Sequence, residues 1–399
     1  MNNTDIVFMI LSSLLVWIMP AGLALFYGGL TPHRSMINTM MMVLLPLGFG
    51  IVCWYLFGYS LTFSGDHALI GNLKHFAFND VSFTTSTKGL QIPDAVFAMF
   101  QGMFPLITLG IIAGAVIDRI NLKFFIFFCI GWLVLVYYPL AHMVWGNGLI
   151  EHLGALDFAG GDVVHISSGV TALILALKIG KRQNAEAPTV HCAPAVAIGM
   201  ALLWFGWFGF NAGSALGINE GALYALQNTF LASATSFTIW NILDYYTTKH
   251  ISLFGSLTGA LVGLVLITPS AGLVTTNSAL LISILGTPIL FFAIPALKAR
   301  FHYDDALDAF GAHGLGGILG GIFTGLFASE HLAGVQNVLH GNFQLLGSQL
   351  SGIVITILWA TIGTLLLTKL LNSFMPLTTD LKPDMTRDTI EHGESSFEV

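Results

Sequence analysis

Two histidines in apolar stretches are the residues best placed to do chemistry in this sequence. His165 lies between Gly154 and Arg182, in GALDFAGGDVVHISSGVTALILALKIGKR, a stretch that opens with Asp157 in a glycine-rich turn and ends in a basic cluster. An ionisable ring inside a membrane-length apolar segment is costly, so it indicates a functional site with a partner elsewhere. His313, in DAFGAHGLGG, is the candidate partner.

A pair of imidazole rings can handle protons near neutral pH. Two neutral rings can share one proton because one ring nitrogen donates a hydrogen bond while the other accepts it. The carboxylates near these rings in sequence are Asp157 or Asp162 for His165, and Asp308 for His313. A lone intramembrane histidine often only hydrogen-bonds a neighbouring helix, but two at matching places favour a functional pair. His142, in AHMVWG, lies near a predicted outer helix end and is interpreted as a cap or packing contact.

Composition defines the class of protein in which these histidines are embedded. Of the 399 residues 9% are charged and 55% hydrophobic, and the mean hydropathy is +0.80, whereas a soluble domain is about one quarter charged. The sequence therefore predicts an integral protein of the lipid bilayer. Its three cysteines have neither paired nor metal-like spacing, and the net charge of −7 gives no basic patch for nucleic acid. No nucleophile–base arrangement predicts an enzyme, and no cofactor is expected.

Eleven apolar segments have the length of about 17–25 residues that a bilayer core demands of a helix. They fall near 5–30, 36–63, 93–117, 122–145, 161–180, 192–215, 221–246, 251–269, 276–298, 305–327 and 343–372. The first is expected to be retained, because no basic region of a secretory signal precedes it. The segments predict an all-α membrane protein with one transmembrane domain, residues 1–372, and a cytoplasmic tail, residues 373–399.

The basic residues predict an outside N-terminus and an inside C-terminus, because Lys and Arg in short loops are retained in the cytoplasm. With that orientation the outer loops hold two of the 14 basic residues, Lys74 and Lys88. The other twelve fall inside: Arg34, Arg119, Lys123, Lys178, Lys181, Arg182, Lys249, Lys298, Arg300, Lys369, Lys382 and Arg387.

The odd number of spans permits two five-helix halves of opposite topology, related by a pseudo-two-fold axis in the membrane plane, plus one extra helix. LALFYGGL ends the first span and WFGWFGFNAGS the sixth, and the fifth and tenth each carry one deep histidine. With a rise of about 1.5 Å per residue, both histidines lie well inside the hydrocarbon from opposite faces. They are predicted to meet near the midplane.

Aromatic residues cluster at the outer ends of the same spans. Phe100 and Phe104 stand four apart on one helical face. Trp145 ends the fourth span, and Trp207 and Phe210 precede Ser214 at the end of the sixth. Such residues often form an interfacial belt, but aromatic faces beside a hydroxyl also suit a small cation held by cation–π attraction.

Several stretches together resemble one known family closely. ALDFAGGDVVHISSG with its GKR ending, AHMVWG, GWFGFNAGSA, FYGGL and DAFGAHGLGG together look like the ammonium transporter family, the Amt/Mep/Rh superfamily, on its bacterial Amt side. The resemblance covers essentially the whole chain. It implies a homotrimer with one pore per subunit, eleven helices, an inverted five-plus-five repeat, a location in the cell membrane and a role in nitrogen uptake.

The resemblance also implies roles for residues at matching motif positions. Trp145, Phe104 and Ser214 would form an outer recruitment site for ammonium. Phe104 and Phe210 would form a stacked gate beneath it. The implied pore and supporting residues are His165 and His313, as twin pore histidines, with Trp207, Asp157, Phe100, Tyr27 and Thr268.

Such a pore has to tell NH4+ from K+, which is similar in size but cannot lose a proton. The hypothesis is that NH4+ binds in the aromatic vestibule and surrenders its proton there or at the gate. NH3 then crosses an apolar lumen along His165 and His313, and the proton travels separately through the histidines or ordered water. A pore without fixed charge presents a desolvation barrier to K+.

Three features depart from the family's usual pattern. Asp162 stands where a small or hydroxyl residue is more common; it is interpreted as a helix cap, with an effect on the outer site or the histidine pair as the alternative. Met103 and Pro105 flank Phe104, and Pro105 predicts a kink.

The tail TRDTIEHGESSFEV keeps HGE but ends in SSFEV. It is either a solvated end or, as the resemblance implies, a contact for a PII-type regulatory protein.

Three other functions stay open on the residues alone. A neutral-gas channel of the Rh type would usually lack the paired tryptophans at Trp145 and Trp207. A pure ammonium sensor is expected to carry a fused signalling domain, and no such domain is predicted from this sequence. A membrane electron carrier with haem between His165 and His313 is the alternative from a different class.

Overall fold

A computed structural model describes residues 1–182, 191–379 and 386–396. In these ranges the chain folds into helices, with one isolated backbone bridge between Ile120 and Thr378, which confirms the all-α prediction. Long helices occupy the eleven predicted positions: α1 Asn3–Leu30, α2 His33–Phe63, α3 Asp94–Val116, α4 122–145, α5 Gly161–Ile179, α6 Ala193–Gly213, α7 Glu220–Thr248, α8 Leu253–Ser270, α9 Thr276–Phe301, α10 Phe310–Phe327 and α11 Gln344–Asn372. Lys382 and the end of SSFEV, residues 397–399, lie outside the described residues.

Ten of these helices are both long enough and apolar enough to cross a membrane. The remaining one, α7, has 29 residues but a more polar composition. Four of its polar residues, Asn228, Thr229, Ser233 and Ser236, are buried in the protein. The Asn228 amide, for example, donates to the carbonyls of Ala271 and Val274 at 2.8 Å each. Paired in this way, a polar side chain avoids the cost of an unsatisfied group in an apolar surrounding.

Helices α1 and α6, which are counterparts in the predicted repeat, pack closely along each other. A Cβ atom at Gly22 of α1 would lie 2.8 Å from the carbonyl oxygen of Gly199 in α6. A Cβ atom at Gly29 would lie 2.7 Å from the carbonyl oxygen of Cys192. Because no side chain fits at these places, glycine lets the two backbones approach, as small residues do between membrane helices.

Helices α5 and α10 carry the two histidines and begin in the same unusual way. Each opens with a π-helical turn, Gly161–Ile166 in α5 and Phe310–Leu315 in α10. Such turns are rare and often found at functional sites. The two helices meet backbone to backbone, since a Cβ atom on Gly169 would collide with the backbone of Gly314.

Two sequence expectations about these helices need correction or a closer description. Helix α10 begins at Phe310 instead of residue 305, because residues 302–308 form a loop in which Asp308 has a left-handed φ of 55°. Helix α3 runs through Pro105 as one continuous helix, so the proline does not interrupt it beside Phe104.

Two residues of the C-terminal tail, Arg387 and Asp388, are buried against helix ends, so the described tail is not a solvated end throughout. Asp388 accepts hydrogen bonds from the backbone N–H groups of Ile37 and Asn38 at 3.0 and 2.8 Å, at the start of α2. Arg387 is buried and donates to the carbonyl of Ile120 at 3.0 Å. A carboxylate at a helix N-terminus is favourable.

A second ionic cluster joins the loops beside α3, α5 and α10. The Arg182 guanidinium lies 2.7 Å from the Asp304 carboxylate, and that of Arg119 lies 3.5 Å from it. Burial alone raises the pKa of Asp304, but the hydrogen bonds from Arg182 and the charge of Arg119 outweigh it, so the pKa is lowered. The carboxylate is therefore charged, and it holds the three loops together.

Candidate functional site

An open cavity of about 300 Å³ lies above the paired histidines, at the ends of α3, α4 and α6. Trp145, Phe104 and Ser214 line it together. The Trp145 indole N–H donates to the carbonyl of Asp157 at 2.8 Å, which fixes the ring. The ring of Phe104 meets that of Trp145 edge to face, with centroids 5.8 Å apart. The three residues assigned to an outer site are thus brought to one cavity.

The ring of Phe104 forms the floor of this cavity, and the ring of Phe210, which lines the space below, packs against it. Their centroids are 4.5 Å apart with an interplanar angle of 33°, and both side chains are buried. Phe100 packs edge to face on Phe104 at 5.1 Å and against Gly213. Phe100 therefore supports the floor from behind, and the two stacked rings stand between the cavity and the space below.

Below the floor lies a narrow space of about 10 Å³, close to the smallest volume that holds one water molecule, about 10–15 Å³. His165, His313 and Trp207 line it, together with aliphatic residues of α1, α3, α6 and α8. A space this small and apolar excludes a hydrated ion, because a charge that leaves water needs compensating partners.

The two histidines contact each other directly, 148 positions apart in the chain. Nδ1 of His313 lies 3.2 Å from Nδ1 of His165, so one nitrogen donates and the other accepts. The His165 ring also stacks on Trp207 at 5.5 Å. Within the described chain Nε2 of His165 has no hydrogen-bond partner. That nitrogen is available to a molecule in the lumen.

Trp207 is held by a hydrogen-bond chain that continues into α7. Its indole N–H donates to the Thr268 hydroxyl at 2.9 Å. The Asn211 amide donates to Thr229 at 2.9 Å, and the Thr268 hydroxyl lies 3.4 Å from the Asn211 oxygen. Thr268 thus acts on the ring that stacks against His165, behind the lumen surface.

Asp157 positions the start of α5 through its side chain. One carboxylate oxygen accepts the N–H groups of Gly160 and Gly161 at 2.8 and 2.6 Å. The other accepts those of Asp162 and Val163 at 2.7 and 3.3 Å. These are the N–H groups that a helix start leaves unpaired. Burial raises the pKa of Asp157, and the four donors oppose that rise.

Asp305 has the same role for α10, whereas Asp308, the carboxylate noted near His313 in the sequence, does not. Asp305 stands eight residues before His313, as Asp157 does before His165. Its oxygens accept the N–H groups of Ala309 at 3.1 Å and Phe310 at 2.7 Å. Asp308 is half-exposed and pairs with Lys298 at 2.6 Å. The equal spacing was a usable signal in the sequence, but proximity to His313 pointed to Asp308.

Asp162 does not cap α5 with its side chain, contrary to the interpretation from sequence; Asp157 fills that role. Its side chain is buried toward α11, where a Cβ atom on Gly352 would lie 3.5 Å from its Oδ2. Oδ1 has no hydrogen-bond partner among the described residues. Asp162 lines neither the outer cavity nor the narrow space.

Replacing Asp162 with alanine is therefore expected to stabilise the protein. The change removes a buried carboxyl whose Oδ1 atom has no hydrogen-bond partner among the described residues, a gain of about 1–2 kcal/mol. The midpoint of thermal unfolding in detergent should rise, and ammonium-evoked current should stay within about twofold of wild type, since the lumen is untouched. A current reduced tenfold or more with an unchanged midpoint would assign Asp162 to proton movement instead.

Two further residues singled out from sequence lie away from the cavity. Tyr27 is buried at the other end of the helices, where its ring packs against Gly114 of α3. His142 is buried, and its two ring nitrogens lie 2.8 and 2.6 Å from the carbonyl oxygens of Thr62 and His67. His142 thus makes packing and loop contacts, as its place in AHMVWG indicated.

The contact between the histidines is incompatible with haem between them. Two imidazole nitrogens that ligate a haem iron from opposite faces each stand about 2 Å from it and thus about 4 Å from each other, whereas the two Nδ1 atoms lie 3.2 Å apart in direct contact. The space beside the rings is about 10 Å³, which holds no porphyrin. The arrangement suits a small neutral molecule and a shared proton.

The cavity also contains residues that the sequence did not single out. They come from four separate segments, and no spacing links them: Phe63, Phe97, Gln101, Glu151 and Phe158. Glu151 places a carboxylate at the mouth, and its Oε2 accepts the N–H of Asn147 at 2.7 Å.

Comparisons with known proteins agree with this geometry. A model of the Ammonium Transporter Family matches residues 7–397. A protein named ammonium transporter from Bacillus subtilis is 42% identical over 401 residues, covering 100% of this chain and 99% of the relative. The crystal structure of Saccharomyces cerevisiae Mep2 superimposes with a TM-score of 0.88 at 32% identity, covering 96% of this chain and 88% of Mep2. A structure titled Sensor Amt Protein matches with a TM-score of 0.87 at 26% identity, covering 95% of each chain.

Proposed function

The chain belongs to the ammonium transporter family, and on this premise we propose that it conducts ammonium across the cell membrane as a transporter. The observation that carries the proposal is the directly bonded pair His165 and His313, 3.2 Å apart, beside a narrow apolar space. Relatives that match the full length are named ammonium transporters, which supports the substrate.

Recruitment takes place in the outer cavity. NH4+ there meets the faces of Trp145 and Phe104, which attract a cation, and the Ser214 oxygen, which accepts a hydrogen bond. The Ser214 hydroxyl donates to the carbonyl of Phe210 at 2.8 Å. Its lone pairs are therefore free to face an ammonium donor. K+ has no N–H group and cannot donate this hydrogen bond.

Passage below the stacked rings requires loss of the proton. The gate residues Phe104 and Phe210 close the way to a hydrated ion, and the space beneath offers no fixed countercharge. NH3 passes when the rings part, and Nε2 of His165 offers it a hydrogen bond. The proton moves separately, through the histidine pair or ordered water. Because the two Nδ1 atoms are in contact, either ring can act as the hydrogen-bond donor and the other as the acceptor.

The assembly and orientation belong to the same proposal. The chain forms a homotrimer with one pore per subunit, with residues 1–372 as an inverted five-plus-five repeat plus α11. The N-terminus lies outside and the tail, residues 373–399, inside. The repeated aspartate-to-histidine spacing and the two π-helical turns support the inverted repeat. A PII-type regulator binds the cytoplasmic face; pull-downs with and without ATP and 2-oxoglutarate test that contact.

The decisive experiment measures current in proteoliposomes on solid-supported membranes. A jump in ammonium concentration should evoke a current, and an equal jump in K+ should evoke none. Uptake of NH3 without a current would favour the neutral-gas channel of the Rh type. Empty liposomes and liposomes with a heat-unfolded sample provide the baseline.

A sensing role is the second candidate, favoured by the structural likeness to the protein titled Sensor Amt Protein. The distinguishing quantity is turnover. A transporter should move many ammonium ions per subunit in the current assay. A sensor should bind ammonium in the same cavity and show a single, transient charge displacement.

A further inference from the structure

The ammonium group of Lys88 stands over two aromatic rings that line the outer cavity. Nζ of Lys88 lies 5.1 Å from the ring centroid of Phe63 and 5.3 Å from that of Phe97. It also donates to the carbonyl of Phe63 at 3.3 Å. Two ring faces and one oxygen acceptor are the chemistry that binds a small ammonium ion.

The pocket is continuous with the recruitment site. Phe63 and Phe97 line the same cavity as Trp145 and Phe104. The two rings stand edge to face, with centroids 4.8 Å apart, and both are nearly buried. A cation that enters from outside can therefore reach this pocket and the recruitment site through one opening.

Lys88 is aimed at the pocket by its own loop. The N–H of Thr87 donates to both oxygens of Asp94, at 3.0 Å each, where α3 begins. The N–H of Lys88 donates to Ser86 at 3.2 Å, and Gly89 turns the chain with a φ of 71°. The backbone is thus fixed at the rim, while the long side chain remains able to leave the pocket.

The local charges favour a cation there. Partial burial lowers the pKa of Lys88, whereas the carboxylates of Asp94 and Glu151 act to raise it. Glu151 itself lines the cavity. If Lys88 moves out, a negative field and two aromatic faces remain for another cation.

We propose that Phe63, Phe97 and the Phe63 carbonyl form a second binding site for ammonium and small primary alkylammonium ions, which Lys88 occupies as a tethered competitor. Lys88 then sets the ammonium concentration at which the transporter saturates. The inference rests on the proposed transport function, because it concerns the loading of the same outer cavity.

The test is Lys88→Met in the full chain, measured as ammonium-evoked current in proteoliposomes. Loss of the competitor should lower the half-saturating ammonium concentration about two- to fivefold, the ratio that corresponds to one partly exposed cation–π contact. Lys88→Arg, which keeps a cation on the rings, should remain like wild type. Lys74→Met removes another lysine of the same outer loop and should also remain like wild type.

A double variant separates aromatic binding from a general charge effect. In Lys88→Met with Phe63→Leu, the gain should disappear if the pocket binds ammonium, and it should persist if only the local charge matters, which would overturn the proposal. Phe97→Leu in the same background repeats the test if the first double variant unfolds. An unchanged half-saturation in Lys88→Met also overturns it, whereas absence of any wild-type current contradicts the transport function itself. Methylammonium serves as the alkylammonium probe in the same series.

Discussion

Exchange of both His165 and His313 for alanine is expected to destroy the selectivity for ammonium over K+. The two rings contact each other at 3.2 Å and line the narrow space, so their removal widens the lumen and deletes its polar atoms. A wider lumen fills with water, which lets K+ keep hydration that it loses in the native pore. The ratio of ammonium to K+ current should fall at least about fivefold, since two neutral hydrogen bonds of about 0.5–1.5 kcal/mol each are lost.

The measurement compares ammonium and K+ jumps on the same proteoliposomes. His331→Ala is the matched control, because His331 lies in an outer loop paired with Glu220 at 2.9 Å and does not line the lumen. The single variants should each lose current while K+ stays excluded, because the remaining ring still narrows the space. Double-alanine protein with wild-type selectivity would refute the histidine mechanism.

The sequence located both histidines and nearly all helix positions for identifiable reasons. Apolar segments of membrane-spanning length predict helices by composition alone. A histidine in such a segment is easily recognised because ionisable residues are rare there. Helix α7 shows where this signal weakens. Its buried polar residues, such as Asn228, lower the hydropathy of the helix, while hydrogen bonds to neighbouring segments take up the Asn228 amide N–H groups.

Other features depended on contacts between distant parts of the chain. The choice between Asp305 and Asp308 depended on which carboxylate meets the N–H groups of Ala309 and Phe310. The pocket under Lys88 depends on a loop that returns across the end of α2 to Phe63. Neither arrangement leaves a periodic pattern, because loop geometry decides it.

Asp162 illustrates a third limit. A carboxylate in the first turn of a helix is usually a cap, and here that place is taken by Asp157 from outside the helix. With its backbone N–H already bonded, Asp162 turns toward Gly352 of α11 instead. The local pattern was correct for an isolated helix, and the preceding turn overrode it.

Replacement of Asp157 with alanine is expected to lower both stability and transport more than any other single carboxylate change. The change leaves the N–H groups of Gly160, Gly161, Asp162 and Val163 without their acceptor. Each unsatisfied buried donor costs about 1–3 kcal/mol, so a destabilisation on the order of 3 kcal/mol or more is expected. The N–H of His165 donates to the carbonyl of Gly160 at 3.0 Å, so the histidine shifts with the turn. Thermal unfolding in detergent and the ammonium-evoked current measure the two effects.

Asp157→Asn and Asp305→Ala separate a positioning role for Asp157 from a role as proton acceptor. Asparagine keeps one oxygen and thus two of the four hydrogen bonds, and alanine at Asp305 removes two bonds at the start of α10. Both variants should therefore lose about half as much stability as Asp157→Ala. For a positioning residue, current should follow stability, so that Asp157→Asn retains more of it than Asp157→Ala. A proton acceptor behaves differently, because asparagine cannot take up the proton: current would vanish in Asp157→Asn although the turn is largely held. Comparing the ammonium-evoked current of each of the three variants with its unfolding midpoint thus decides which role the Asp157 carboxylate has.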